Sequence, residues 1–155
     1  MENNQENFNN EIVDLLGKTL SDTEDADNQI AFVKEEFKSN FNDPDALSEI
    51  KSWEDKKLKT IDDFASTLTK APEQFWVALN FVKQKIFNIP FIENKELQNE
   101  AVKLSEKLES FPSRFEKGDD AEKTEVGKMF FQTYAEIVAL TRKTQALDNS
   151  QPLNA

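Results

Sequence analysis

Carboxylate pairs are the side chains in this sequence that could support metal-dependent chemistry, since it contains no histidine and no cysteine. Mg²⁺ needs oxygen ligands that converge on one point, and helical nucleotide hydrolases supply them from Glu-x-x-Glu and Glu-x-x-Asp pairs. The ranges Glu106–Glu109 and Glu116–Asp119 have this spacing. The first pair faces away from the apolar side set by Leu104 and Leu108, and the second straddles Gly118, where we expect a helix to end. We therefore predict no metal site.

The segment Asp25–Glu36 begins like an EF-hand calcium loop, with Asp at its first and third positions and Glu at its twelfth. Such a loop needs glycine at position six for its sharp turn. Ile30 stands there instead, and the apolar periodicity places it in a helix, so we predict no calcium site. The usual general base near neutral pH, histidine, is missing, and neither a phosphate-binding glycine loop nor a Gly-x-Ser-x-Gly motif occurs. We expect a non-enzymatic protein without catalytic residues, metal or cofactor.

The charge of the chain is strongly negative and unevenly distributed. Of the net charge of −11, residues 1–63 contribute seventeen Asp and Glu against seven Lys, a net of −10. Residues 64–155 carry thirteen Asp and Glu against twelve Lys and Arg, a net of −1. A field of this sign repels nucleic acid and anionic membranes and attracts basic surfaces. We therefore expect another protein as partner, with a basic surface as one option, and no direct binding to nucleic acid or membranes.

Apolar residues recur at helical spacing along most of the chain, which predicts an all-α fold, a single-domain bundle of five to seven helices. The helix expected at its centre spans residues 72–88. Pro72 suits a first helical turn, and Pro90 ends the helix because the residue before a proline avoids helical angles. Apolar residues lie nearly all round this segment, so we expect it to be buried among its neighbours. The predicted structural core includes Phe75, Trp76, Leu79, Val82, Ile86, Leu104, Leu108, Phe130 and Ile137.

The two ends of the chain are polar and are expected to be flexible tails, over residues 1–7 and 148–155, around one helical domain at 8–147. The first helix of that domain is expected at residues 8–20. An acidic connector at 21–28 then leads into the second helix. No apolar run follows a basic stretch near the first residue, and the apolar segments are too short or too interrupted by lysine to span a membrane, so we expect a cytoplasmic protein.

The segment that begins at Asp43 and leads to the central helix can be interpreted as one helix or as two. Asp43 is expected to cap it, with Pro44 at its first helical position. The apolar stripe Leu47–Leu68 fits either one long helix or two. We favour a break near Lys59, because residues 60–63 resemble a capping box with Asp in place of the usual Glu.

Two further helices are expected after the central one. Residues 88–94 form an apolar connector, which either covers the bundle as a lid or docks on another protein. Asn94 is expected to cap the next helix, and Pro112 to break or restart it. Gly118 suits a left-handed C-cap, and either Asp119 or Asp120 suits the next N-cap. The last helix is expected to end near residue 147.

Three functional hypotheses fit these observations. The favoured one is an acidic protein-binding module, such as an adaptor, small chaperone or structural accessory protein. The alternatives are an acidic inhibitor or nucleic-acid mimic that blocks a basic cleft, and a carrier of an apolar ligand inside a bundle rich in phenylalanine. The oligomeric state is left open. The candidate contact residues are Phe32, Phe91 and Phe131, together with Asp22, Glu24, Asp25, Asp27, Glu35, Glu36 and Asp43.

Overall fold

The fold is an all-α helical bundle, as the periodicity predicts. The computed structural model describes residues 2–40, 42–87, 89 and 94–150, and the side chains of these ranges between residues 11 and 146. Five helices occupy these ranges. They are α1 (Glu2–Glu36), α2 (Pro44–Lys70), α3 (Pro72–Phe87), α4 (Lys95–Lys117) and α5 (Asp120–Ser150).

The helices pack in the order α1, α2, α5, α4. The most extensive contacts are those between neighbours in this series. Helix α3 touches all four of the others, so it lies across the series rather than within it. Helices α2 and α5 approach each other closely where Gly127 faces Ala65. A Cβ atom on Gly127 would lie 3.0 Å from both the Cα and the Cβ atom of Ala65.

Phenylalanine rings fill the region where α2, α3, α4 and α5 meet. Phe75 stacks on Phe115, with ring centroids 4.2 Å apart. The ring of Phe130 meets Phe75 edge-on at 5.6 Å, and Phe64 and Phe111 each lie 6.5 Å from it. The separations of Phe130 from its three neighbours are typical of favourable aromatic pairs. The phenylalanines therefore have a structural role that explains much of their abundance.

Helix α3 buries one face and exposes the other. Phe75, Leu79 and Val82 are buried in the main cluster, while Ile86 is half-buried against it. Trp76, which the sequence places in the core, is 41% exposed, so that prediction is wrong. Adjacent residues of a helix point about 100° apart, so once Phe75 faces the core Trp76 is turned to the rim. There it packs edge-on against Phe75, with ring centroids 5.4 Å apart.

Helix α1 is continuous through the acidic segment, so the predicted connector at residues 21–28 is wrong. Thr23 and Ala26 are buried within that segment and continue the inward stripe from Leu16 to Val33. Thr23 Oγ1 donates to Leu20 O at 2.9 Å, which satisfies its hydroxyl inside the helix. The acidic side chains of the segment lie on the faces of α1 that point away from this buried stripe, where polar residues are expected. The helix also begins at Glu2, ahead of the start expected at residue 8.

Helix α2 is a single helix from Pro44 to Lys70, so the favoured break near Lys59 is wrong. Thr60, the first residue of the apparent capping box, donates its hydroxyl to Lys56 O at 2.9 Å. A hydroxyl bonded to the preceding turn cannot cap a new helix. The start of α2 is as predicted, because Asp43 Oδ1 accepts hydrogen bonds from the amides of Asp45 and Ala46 at 2.9 and 3.1 Å.

Helix α4 continues through Pro112, contrary to the prediction. Phe111 and Phe115 are buried on either side of it, and we infer that their packing maintains the helix across the missing N–H. The predicted left-handed cap is also wrong, since Gly118 has φ −79° and ψ 156° and its N–H donates to Arg114 O. The caps at Asn94 and Asp119 are confirmed: Asn94 Oδ1 accepts from two amides of α4, and Asp119 Oδ1 from one of α5.

Candidate protein-interaction site

The C-terminal half of α1 and the N-terminal half of α2 pack on each other away from the main hydrophobic cluster. Ala26, Val33 and Ala46 are at most 2% exposed, yet none of them belongs to that cluster. In α1 the buried residues of that cluster are Ile12 and Leu16, and in α2 they begin at Ile61. We call residues 22–58 the hairpin arm. Its own narrow core of small residues brings α1 and α2 together and leaves their outer faces free.

The hairpin arm holds more than half of the net charge of the protein. Residues 22–58 contain eleven Asp and Glu against five Lys, a net of −6 out of −11. The arm is about a quarter of the chain, so its charge density is more than twice the average. Such a concentration of one sign increases the rate of encounter with basic surfaces.

Three of the seven candidate carboxylates form ion pairs. Glu24 Oε1 lies 2.7 Å from a guanidinium nitrogen of Arg142 on α5, and Asp27 Oδ1 lies 2.8 Å from Lys57 Nζ on α2. Glu35 pairs with Lys38 at 2.8 Å within its own segment. The first two pairs connect the arm to α5 and connect its two helices. All three pairs are largely solvated, so each contributes at most about 1 kcal/mol.

The other four candidate carboxylates have different surroundings. Asp43 is half-buried, and its Oδ1 caps α2. Asp22, Asp25 and Glu36 are exposed and form no ion pair within the part of the chain that the structure describes. Among the seven candidates, these three can therefore meet a partner without breaking an existing ion pair or helix cap.

Among the described residues of the arm, Phe32 is the aromatic residue that faces solvent. It is 64% exposed, while the next residue, Val33, is 1% exposed. Residues three and four apart are neighbours on a helix surface, so Phe32 shares its face with Gln29 and Glu36, and Asp25 lies one turn beyond Gln29. An apolar ring thus lies among free carboxylates and an amide on the outer face of α1.

The two other candidate aromatics do not belong to this site. Phe131 is 2% exposed and packs against Phe64, with ring centroids 5.8 Å apart, so the prediction that it contacts a partner is wrong. Helix α2 covers this side of α5 through Phe64. Phe91 lies outside the described residues. Within the apolar connector that contains it, the structure describes Ile89, which is half-buried against the main cluster, and Asn94, which caps α4.

A groove between α1 and α2 was not anticipated from the sequence. It has a volume of about 560 Å³ and is lined by Asp22, Asp25, Asn28 and Gln29 from α1 and by Trp53 and Lys56 from α2. Trp53 is half-buried, and Lys56 Nζ lies 4.9 Å from the centroid of its ring. The three-residue spacing of Trp53 and Lys56 was a signal in the sequence, but the apposition of Asp22 and Asp25 depends on how α1 and α2 align.

The described residues contain no group of three or more acidic side chains that could hold a metal ion. Within the described part of the chain, a shifted pKa is resolved for Lys128 and Tyr134. The pKa of Lys128 is raised by its hydrogen bond to Asp62 and by the negative charge of that carboxylate. The pKa of Tyr134 is raised by burial. Both groups are thereby held in the form that they already have at neutral pH, so neither shift prepares a group for proton transfer. Among the described helices, none is long and apolar enough to cross a membrane.

Comparison with known proteins does not assign the chain to a family. No protein-family model matches the chain, and no curated protein and no solved structure is significantly similar to it.

Proposed function

We propose that the protein is a non-enzymatic, cytoplasmic protein-binding module, and that its hairpin arm binds a partner with a basic surface. The observation that carries this proposal is the exposure of Phe32, 64%, on a face that also holds the free carboxylates of Asp25 and Glu36. A single exposed apolar residue is ordinary on a protein surface. What supports a contact here is its combination with a net charge of −6 on an arm outside the main core.

The phenylalanine and the carboxylates have different roles in the proposed contact. Burial of a phenylalanine side chain contributes about 1.5–3 kcal/mol, which makes Phe32 the anchor. Aromatic anchors at the centre of an interface commonly carry most of its binding energy. The carboxylates around it accelerate encounter with a basic partner and orient it, and their contribution falls as salt screens them.

The acidic inhibitor or nucleic-acid mimic is the second candidate. It is favoured by the exposed carboxylates of Asp22, Asp25 and Glu36, which have no ion-pair partners in the described part of the chain. Binding by charge alone weakens steeply with ionic strength. Binding anchored by Phe32 persists at high salt. Salt dependence therefore separates the two candidates without knowledge of the partner.

The test is affinity capture from the native host at low and high salt, with wild-type protein and matched variants. Phe32→Ala removes the anchor, and Val102→Ala removes an apolar side chain of similar exposure, 55%, on α4. We expect Phe32→Ala to weaken capture about tenfold or more, since 1.4 kcal/mol corresponds to a factor of ten. Val102→Ala should leave capture unchanged.

A second pair of variants tests the carboxylates. Asp25→Asn with Glu36→Gln removes two negative charges from the arm, and Glu106→Gln with Glu109→Gln removes two from the exposed surface of α4. The first pair should weaken capture at low salt and the second should not. Capture that survives Phe32→Ala, or that is lost equally with Val102→Ala, contradicts the proposal.

A further inference from the structure

We propose that the groove between α1 and α2 is a binding site for an arginine side chain of a basic polypeptide. The inference deepens the proposed function and rests on it, because it assigns the chemistry of the partner's contact. Two exposed carboxylates, Asp22 and Asp25, stand on the α1 side of the groove. The indole of Trp53 stands on the α2 side.

The indole already has a cation as its neighbour. Lys56 Nζ lies 4.9 Å from the ring centroid of Trp53, within the range of a cation–π contact. Lys56 is exposed and forms no ion pair within the described part of the chain, so little besides the ring retains it. The ammonium group of Lys56 therefore acts as a stand-in for an external cation, in a groove whose volume of about 560 Å³ leaves room for another side chain.

Arginine fits this arrangement better than lysine. Its guanidinium group is planar and stacks on an aromatic face, and its five N–H donors form a rigid fork that matches carboxylates. Asp22 and Asp25 are three residues apart on α1, so their Cβ atoms lie about 5–6 Å apart on the same side of the helix. One guanidinium can therefore stack on Trp53 and donate to a carboxylate at its edge. A compact ammonium group has no face to stack and fewer donors to share.

The amides of Asn28 and Gln29 complete the same wall of the groove. Their oxygens can accept further N–H donors from a guanidinium or from the peptide backbone beside it. The negative field of the arm, with a net charge of −6, concentrates basic polypeptides at this surface. The groove then selects the arginine residues among them.

The experiment is a fluorescence titration of the full chain with a hexa-arginine peptide and, in parallel, a hexa-lysine peptide. The chain has two tryptophans, so Trp76→Phe leaves Trp53 as the only indole. We expect a saturable change in Trp53 fluorescence and an affinity at least threefold higher for hexa-arginine than for hexa-lysine. Circular dichroism verifies that each variant is folded. Equal affinities for the two peptides, or the absence of a saturable change, overturn the inference.

Two matched pairs of variants locate the binding. Lys56→Ala removes the internal competitor, whereas Lys51→Ala removes the same charge from another face of α2, so the first should bind hexa-arginine at least threefold more tightly than the second. Asp22→Asn with Asp25→Asn should weaken binding about tenfold. Glu54→Gln with Asp55→Asn removes the same charge from two residues of the arm that do not line the groove, and it should weaken binding much less.

Equal effects within either pair mean that the peptide binds by charge alone, and they overturn the inference. This failure is distinguishable from failure of the proposed function, which is tested through Phe32 and the native partner. Partner capture that depends on Phe32 while the groove variants have no selective effect refutes the groove alone. Selective peptide binding without any capture that depends on Phe32 refutes the proposed function alone.

Discussion

The same substitution, glycine to alanine, should have opposite effects at two helical positions of this protein. Gly17 lies on an exposed face of α1, and a Cβ atom added there meets nothing within 4 Å. Gly127 lies where α5 crosses α2, and a Cβ atom added there meets the Cα and Cβ atoms of Ala65 at 3.0 Å. Because the change in helix propensity is the same, the difference between the two variants isolates the packing of α5 on α2.

The expected magnitudes follow from these contacts. Alanine is favoured over glycine inside a helix by about 0.8–1.0 kcal/mol, so Gly17→Ala should raise the free energy of unfolding by about 1 kcal/mol. For a chain of this length, that corresponds to an increase of about 2–4 °C in Tm. Gly127→Ala gains the same propensity, but its new contacts are about 0.5–1 Å shorter than the optimum for carbon atoms. Overpacking of this kind costs about 1–3 kcal/mol, so the variant should be less stable than wild type by up to about 2 kcal/mol.

Urea denaturation followed by circular dichroism measures both effects, with the m value as a check that the transition is unchanged. A double variant adds a further test, because Ala65→Gly in the Gly127→Ala background removes the Cβ–Cβ contact. It should show favourable coupling of about 0.5 kcal/mol or more between the two positions. If Gly127→Ala stabilised the protein as much as Gly17→Ala does, the close approach of α2 and α5 would be refuted.

Three further predictions concern single residues. Asp43→Ala should destabilise the protein by about 0.5–2 kcal/mol in urea denaturation because α2 loses its cap, while Asp43→Asn should have little effect. Pro112→Ala should raise Tm and increase the free energy of unfolding by up to about 3 kcal/mol, because alanine supplies the missing N–H inside α4. A lower Tm would contradict this prediction. Tyr134 is the only tyrosine, and burial raises its pKa above the ordinary value of 10.0, so tyrosinate absorbance should appear at a higher pH in the folded protein than in urea. Its stabilising contribution is present below about pH 10 and is lost as the pH rises through the folded pKa, and Tyr134→Phe should remove that loss.

Local signals in the sequence predicted the helical class and several helix ends. Side-chain oxygens at Asp43, Asn94 and Asp119 accept bonds from amides at the starts of α2, α4 and α5. These caps depend on residues adjacent in sequence, so the pattern alone suffices to find them.

The errors arose where tertiary packing outweighed a local signal. Thr23 and Ala26 carry the buried stripe of α1 through its acidic segment, although neither is a large apolar residue. Pro112 remains inside α4 between two buried phenylalanines. In each case a local rule predicts a break, and burial of the flanking stripe against another helix maintains the helix instead.

The candidate site could be predicted only in part, for the same reason. The exposure of Phe32 follows from its position opposite the apolar stripe of α1, and the negative charge follows from composition. The groove that contains Trp53 depends on the alignment of two helices whose facing residues are more than twenty positions apart. No pattern within one helix encodes that alignment.

The measurement that tests the proposed function most directly is amide hydrogen exchange of the full chain with and without its captured partner. We predict that the partner slows exchange in residues 22–36 of α1 and leaves α4 unchanged. The same protection should be lost in Phe32→Ala and retained in Val102→Ala. Protection confined to α4, or to the outer face of α3 around Trp76, would contradict the assignment of the hairpin arm as the binding surface.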